Sequence, residues 1–351
     1  MIQDKPNTPT APTFRWSDFF ETWGGLIAFV ALAAFCSLFP GTRDHFLNPE
    51  NIRNIIHQNS FIGIIAIGMT FVIISGGIDL SVGSMAALIG GLSIYAMNKV
   101  IGGMESEWMG VVAACVAAPL IGMGLGLING LLITKGRIAP FIVTLGGLAG
   151  YRSIILAMAD GGEVRSSSMN LFEAISSPRN GIPLPAWHNA AGDQVSMSIT
   201  WPIIIFLLMA VIAQVVLSHT RYGRYTIAVG SNETAARYSA INVDRVRIIT
   251  YTLIGLCTGI AALLLSSRLN SVGASNTGNL FELDAIAAVV IGGTRMSGGK
   301  GRVWGTIIGV LILGMIDNVL VLADVSTYWQ GLVKAGVIIL AVLLQRSRSE
   351  N

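Results

Sequence analysis

The sequence carries little charge: only 12% of its 351 residues are Asp, Glu, Lys or Arg, about half the share found in a soluble domain. With 53% hydrophobic residues beside that scarcity, folding in water would leave apolar faces with nothing to cover them. The formal net charge of +3 is too small and too scattered for the basic face that nucleic acid requires. Cysteine is scarce too, and Cys36, Cys115 and Cys257 each lie in an apolar run without CxxC or metal-ligand spacing. They read as small core residues. The four histidines, His45, His57, His188 and His219, stand singly, with no HExxH, and no GxSxG elbow has a supporting histidine nearby. Metal-dependent or serine proteolysis within the membrane therefore lacks its residues, and no cofactor is expected.

What is present is a series of apolar runs, each near the 20 or so residues that a spanning helix needs. They fall at 24–40, 55–75, 81–97, 110–133, 138–159, 199–217, 247–267, 283–294, 303–322 and 329–345. The pattern predicts an all-α integral membrane protein of about ten transmembrane helices with both termini on one side. The eighth run is about half the crossing length, which predicts a broken or sheltered segment, allowed where backbone is buried in protein or lines a cavity. Residues 1–23 form an N-terminal tail and 346–351 a C-terminal one. The stretch Met1–Arg15 is polar and lacks an apolar h-region, so it reads as a cytoplasmic tail and not a cleaved signal peptide.

Orientation follows from Lys and Arg, which cytoplasmic loops retain. With the N-terminus inside, fourteen of the 22 basic residues lie in the cytoplasm and six outside, while Arg152 and Lys334 fall within spans. The expected topology has N and C termini cytoplasmic. The outer loop, 160–198, is rich in Ser, Pro, Asn and Gly and is long for a helix connection, which makes it a docking surface candidate. In the inner loop, 218–247, helix-favouring residues from Asn232 to Ser239 follow a cap at Ser231 or Asn232, so a short cytosolic helix is expected there.

Glycines four apart at Gly122, Gly126 and Gly130, at Gly255 and Gly259, and at Gly301, Gly305 and Gly309 favour close helix packing. The run from Gly292 to Arg302 has the look of a phosphate cradle but departs from a P-loop. Five residues separate Gly293 from Gly299, and Gly301 stands where a magnesium-binding Ser or Thr belongs. It reads as a tight cytoplasmic turn, and the chain is not expected to hydrolyse nucleotide.

Two polar features interrupt the apolar runs. Ser75-Gly76-Gly77-Ile78-Asp79-Leu80-Ser81-Val82-Gly83-Ser84 breaks what would otherwise be one hydrophobic stretch. A carboxylate embedded there costs about 2.5 to 3.5 kcal/mol unless paired, capped or hydrated. Asp79 and Ser81 suit a cap and turn. Contact of Ser75, Asp79, Ser81 and Ser84 with a translocating solute is the other reading. Asp317 and Lys334 sit at similar depth in the antiparallel ninth and tenth spans, as an intramembrane ion pair or as a proton-coupling site.

Three stretches carry a resemblance. GMTFVIISGGIDLSVGS from Gly68, GRYTIAVGSNETAARYSAI from Gly223 and ELDAIAAVVIGGTRMSGGKGRVWG from Glu282 resemble, in order and spacing, the signature segments of ribose-type ABC importer permeases, a likeness running from about residue 45 to 345. The resemblance implies a fold like that of the cobalamin importer and a pair of permeases, a homodimer or pseudo-dimer. It also implies a cytoplasmic ATP-binding subunit that performs the hydrolysis and a periplasmic sugar-binding protein in a bacterial inner membrane. It implies that the helix within Gly230–Asn242, with Ser231, Asn232, Glu233, Ala235, Ala236, Ser239 and Ile241, couples to the ATPase. Ala240 stands where the family commonly has Gly. The implied activity is import of a monosaccharide or related polyol by ATP-driven alternating access. A secondary transporter using Asp79 or Asp317 as a coupling site, and a non-conducting membrane scaffold, are the readings from other classes.

Overall fold

The computed structural model describes residues 16–38, 42–168, 170–185, 187–188, 194–195, 197–326, 329–336 and 339. Helix α1 (Trp16–Leu38) is followed by a single turn α2 (Arg43–Phe46) and the long α3 (Pro49–Ile74). Pro49 opens α3, where a missing N–H costs nothing, and the Asn48 side chain accepts from Glu50 N at 3.0 Å. Helices α4 (Val82–Met104), α5 (Glu107–Thr134) and α6 (Pro140–Met158) come next. The outer loop holds β1 (Glu163–Arg165), the one-turn α7 (Leu171–Ala174), β2 (Gly181–Pro183), β3 (Trp187–His188), β4 (Gln194–Val195) and β5 (Ser198–Thr200).

The chain then forms α8 (Trp201–His219), α9 (Arg221–Ser231), α10 (Glu233–Tyr238), α11 (Val243–Leu269), β6 (Ser271–Gly273), α12 (Phe281–Ile291) and α13 (Val303–Leu322). Residues 329–336 are helical. Among the described residues seven helices, α3, α4, α5, α6, α8, α11 and α13, are long and apolar enough to cross a membrane. Residues 16–23 of the N-terminal segment are helical, as the start of α1. The tenth run is helical over 329–336, and most of its remainder lies outside the described residues.

Helix α3 is the axis of the molecule. Its apolar window is 78% buried, against 17% for α6, and its inner half lies in one hydrophobic core with α8, α11, α12 and α13. A clasp between Thr70 Oγ1 and Thr306 Oγ1 (2.7 Å) joins α3 to α13 inside that core, where buried hydroxyls are hydrogen-bonded. The eighth run corresponds to α12, eleven residues long, entered through the irregular segment 270–280. Arg152 of α6 holds that segment by donating Nη1 to the carbonyls of Ala274 (2.8 Å) and Thr277 (2.9 Å). In the long connection between α6 and α8, β1 pairs antiparallel with β6 in the register Val164 to Val272, and β2 pairs with β5. The long outer connection is thus tied to the span ends.

Helices α5 and α11 approach most closely at their glycines. A Cβ on Gly122 would meet the Gly255 carbonyl, one on Gly255 the Gly122 carbonyl, and one on Gly126 the Tyr251 carbonyl. Backbone contact of this kind supplies the dispersion that lipid, as apolar as the helices, cannot. Gly255→Val therefore destabilises the protein by about 3 kcal/mol. Gly124→Ala, where an added Cβ meets nothing, leaves stability unchanged or raises it by up to about 1 kcal/mol. Thermal unfolding of both variants in one detergent checks this; equal losses would mean that the close approach does not hold the two helices.

Candidate functional site: a coupling loop joined to a buried polar turn

The inner loop contains more helix than its sequence suggests. Before the expected cytosolic helix lies α9, which buries Gly223, Thr226 and Val229, while Thr220 caps it by accepting from Gly223 N at 3.2 Å. The apolar spacing of Tyr222, Thr226 and Val229 is the signal that would have found it. Asn232 ends α9 and starts α10, accepting from Ala235 N at 2.9 Å, so the cap is Asn232 and Ser231 belongs to α9. Ala236 is buried beside Val229, Val243 and Val246, whereas Ala235 is exposed and Tyr238 is 89% exposed.

The end of α10 explains Ala240. Ile241 N donates to Ala236 O and Ala240 N to Arg237 O, both at 3.1 Å, which is the Schellman pattern with Ala240 in the left-handed region at φ 59°. A glycine fits there without strain; an alanine costs about 1 to 2 kcal/mol. Ser239 is the C-cap of α10, and Ile241 packs back onto the cluster that holds Ala236. Glu233 fixes the loop to α11: its carboxylate accepts from Arg237 (2.9 Å) and Arg247 (2.6 Å), and Arg237 also reaches Asp244 (3.4 Å).

The three stretches that carry the family resemblance meet at one carbonyl. Ile74 O, freed at the end of α3, accepts from Gly299 N at 2.9 Å. A Cβ on Gly230 would strike that same oxygen, and one on Gly299 would strike Ser231. Gly76, Gly298 and Gly299 take φ of 81°, 85° and 75°, which other residues rarely adopt. The glycine-rich run read as a tight turn thus seats the 218–247 loop on the end of α3. From there the chain enters the polar turn.

In that turn Asp79 is fully buried, and its Oδ1 accepts from Ser81 N (2.8 Å) and Ser81 Oγ (2.6 Å). Ser81 Oγ accepts in turn from Asn129 Nδ2 (3.0 Å), and Asn129 Oδ1 accepts from Tyr151 OH (2.9 Å). Tyr251 OH donates to Ile78 O at 3.1 Å. Ser75 and Ser84 bond to the backbone carbonyls of Val72 and Ser81. The carboxylate therefore orders the turn before α4, while Asp79 Oδ2 is buried and without a hydrogen bond. Asn129, Tyr151 and Tyr251 do not stand out in the sequence, since each lies in an apolar helix and meets its partner only across helices.

Lys334 Nζ lies 2.9 Å from Asp317 Oδ2 and 3.6 Å from Asp284 Oδ2. Asp284, inside the short α12, is a third member that the sequence reading missed. Two carboxylates around one ammonium make the lysine the group whose loss costs most. Lys334→Met should cost about 3 kcal/mol, because it leaves both acids uncompensated. Asp317→Asn should cost less, since Asp284 still faces the lysine, and the pair of changes should be non-additive in a double-mutant cycle of unfolding free energies. Additive losses would show that the groups do not interact.

The loop carries a pH dependence of defined sign. Burial pushes the Glu233 carboxyl up, but hydrogen bonds and charge from Arg237 and Arg247 outweigh it and hold the group below the ordinary glutamate value. A carboxyl with a folded value below its unfolded one stabilises above the unfolded value and loses that contribution as pH falls through the folded one. Amide protection of α10 is therefore full at neutral pH and falls below about pH 4. In Glu233→Gln the dependence is lost, and a wild-type profile as flat as that of the variant would remove the pair from the loop's stability.

Residues 51–342 match the family described as branched-chain amino acid transport system / permease component. The ribose import permease protein of Bacillus subtilis is 43% identical over 304 residues, 87% of each chain. That of Escherichia coli is 40% identical over 327 residues, 92% of this chain and 93% of its own. The xylose transport system permease protein of Escherichia coli is 33% identical over 367 residues, 90% of this chain and 91% of its own. No solved structure matches the chain. With its seven apolar helices, the chain is a multi-pass protein of the inner membrane and belongs to the branched-chain amino acid transport system / permease component family, among its ribose-type members.

Proposed function

We propose that this chain is the permease of a binding-protein-dependent ABC importer, moving a monosaccharide or related polyol across the bacterial inner membrane by ATP-driven alternating access. The observation that carries the reading is the coupling loop. Helix α10 turns Ala235 and Tyr238 outward, where this chain offers them no partner among the described residues, while Gly230 and Ser231, at the end of α9 just before it, pack against Ile74 O and Gly299. An exposed aromatic beside a small residue suits the groove of a cytoplasmic ATP-binding subunit. A scaffold would have no use for such a lever.

In this reading the chain crosses ten times with both termini cytoplasmic, in a fold like that of the cobalamin importer. A second copy completes the pathway. Gly146, Ala149, Gly150 and Ser153 lie on one side of α6, a face small enough for close approach of another helix, which supports that pairing. A periplasmic sugar-binding protein delivers solute to the outer loop, and ATPase closure pulls α10, then Ile74, then the turn from Ser75 to Ser84. The chain performs no covalent chemistry on the solute.

The test uses Ala235, because Ala236 faces the loop's own core and its replacement would unfold the loop. Ala235→Glu should leave membrane insertion intact, since the segment is outside lipid, and lower binding-protein-dependent uptake by roughly tenfold, the scale of a lost interface anchor. Stimulation of hydrolysis should fall with it. Reconstitution with ATPase and binding protein, measuring uptake and hydrolysis together, gives the answer. Uptake that persists when the ATPase is omitted would instead favour a secondary transporter built on Asp79 or Asp317.

A further inference from the structure

A groove of about 570 Å³ opens beside the coupling loop, lined by Ile133 and Thr134 at the end of α5, the link Arg137 to Pro140, Arg237 of α10, and Asp244 and Arg247 at the start of α11. Its volume is that of a small-molecule site. Two of its three arginines are engaged, Arg237 by Glu233 and Asp244 and Arg247 by Glu233. The third is free. Arg137 is exposed, sits at φ 53°, and has no ion pair among the described residues. Three guanidinium groups against the carboxylates of Glu233 and Asp244 leave one positive charge in excess.

The side next to that charge is apolar. Ile138 in the lining is 38% exposed, and Leu132 and Phe141, next to lining residues Ile133 and Pro140 at the ends of α5 and α6, are 44% and 54% exposed; both helices are long and apolar enough to cross a membrane. We propose that the groove holds the phosphate of an anionic phospholipid from the cytoplasmic leaflet, met by Arg137, with acyl chains along Leu132, Ile138 and Phe141. Charge selects the phosphate, and guanidinium suits it better than ammonium does. The apolar wall selects a lipid over a soluble anion or an acidic side chain, either of which would leave Ile138 and Phe141 facing water. Bound there, the lipid lies against Arg237 and Arg247, the two residues that hold Glu233, and so braces the seat of α10. The proposal rests on the cytoplasmic placement of this loop in the reading above, but on neither the sugar nor the ATPase.

The test is a titration of the purified full-length chain in neutral detergent, read by native mass spectrometry, with phosphatidylglycerol, phosphatidylethanolamine and inorganic phosphate in separate arms. Phosphatidylglycerol should bind in preference to phosphatidylethanolamine. Arg137→Gln should weaken it about tenfold, the scale of one charge-assisted hydrogen bond, and Arg137→Lys should restore part of the loss. Because the assay contains neither sugar nor ATPase, its outcome is separate from that of the transport measurement. Equal binding of the two lipids, or an Arg137→Gln variant that binds as the wild type does, overturns the proposal. Binding of inorganic phosphate without lipid makes this a soluble-anion site and overturns it too.

Discussion

The orphaned carbonyl at the end of α3 sets the terms for the rest of the structure. A helix that stops inside protein leaves its last C=O groups without water, and each must find a donor. Ile74 O finds Gly299 N at 2.9 Å. For that donor to arrive, Gly230 must carry no side chain, and Gly298 and Gly299 must accept left-handed backbone. One unmet hydrogen bond thus fixes glycine in two distant segments. Because the contact is backbone on backbone, there is no flexible side chain to absorb displacement, and a shift of α9 and α10 is passed on to Ile74.

Charge obeys the same economy. Asp79 is tolerated because Ser81 gives Oδ1 two hydrogen bonds, and Asn129 and Tyr151 extend the chain of donors outward. Arg152 is tolerated because two carbonyls of the irregular segment before α12 accept from it. The break before α4 and the break before α12 also touch, since Gly83 and Gly278 approach so closely that a Cβ on either would meet the other's carbonyl. Non-helical backbone at this depth is stable only against protein, and each break shelters the other.

How much of this was legible in the sequence depends on whether the information is local. Apolar runs mark α3 to α6, α8, α11 and α13, because hydropathy over 20 residues is a property of one segment. The Asn232 cap and the short α12 are local too. Asp317 and Lys334 share a depth by counting from the span ends, and the structure sets them 2.9 Å apart. Asp284 escaped because the depth of a half-length helix cannot be counted. Asn129 and Tyr151 escaped because a polar residue in an apolar helix acquires meaning only from what another helix brings to it. Helix α9 was lost inside a loop defined by its charge, which masked the periodicity of Tyr222, Thr226 and Val229.

The glycine-rich run from Gly292 to Arg302 shows why a motif must be read with its neighbours. Its glycines have the composition of a phosphate loop, and spacing alone removes that reading. Spacing does not say what the glycines are for. Gly292 lies so close to Gly305 that a Cβ would strike its backbone, Gly299 supplies the donor to Ile74, and Gly298 passes against Gly76 and Gly230. These glycines answer to different contacts, so the run is a knot of close approaches and not one binding surface. The same logic separates the two alanines of α10. Ala236 is small because Val229, Val243 and Val246 leave no room, and Ala235 is exposed with no such constraint inside the chain.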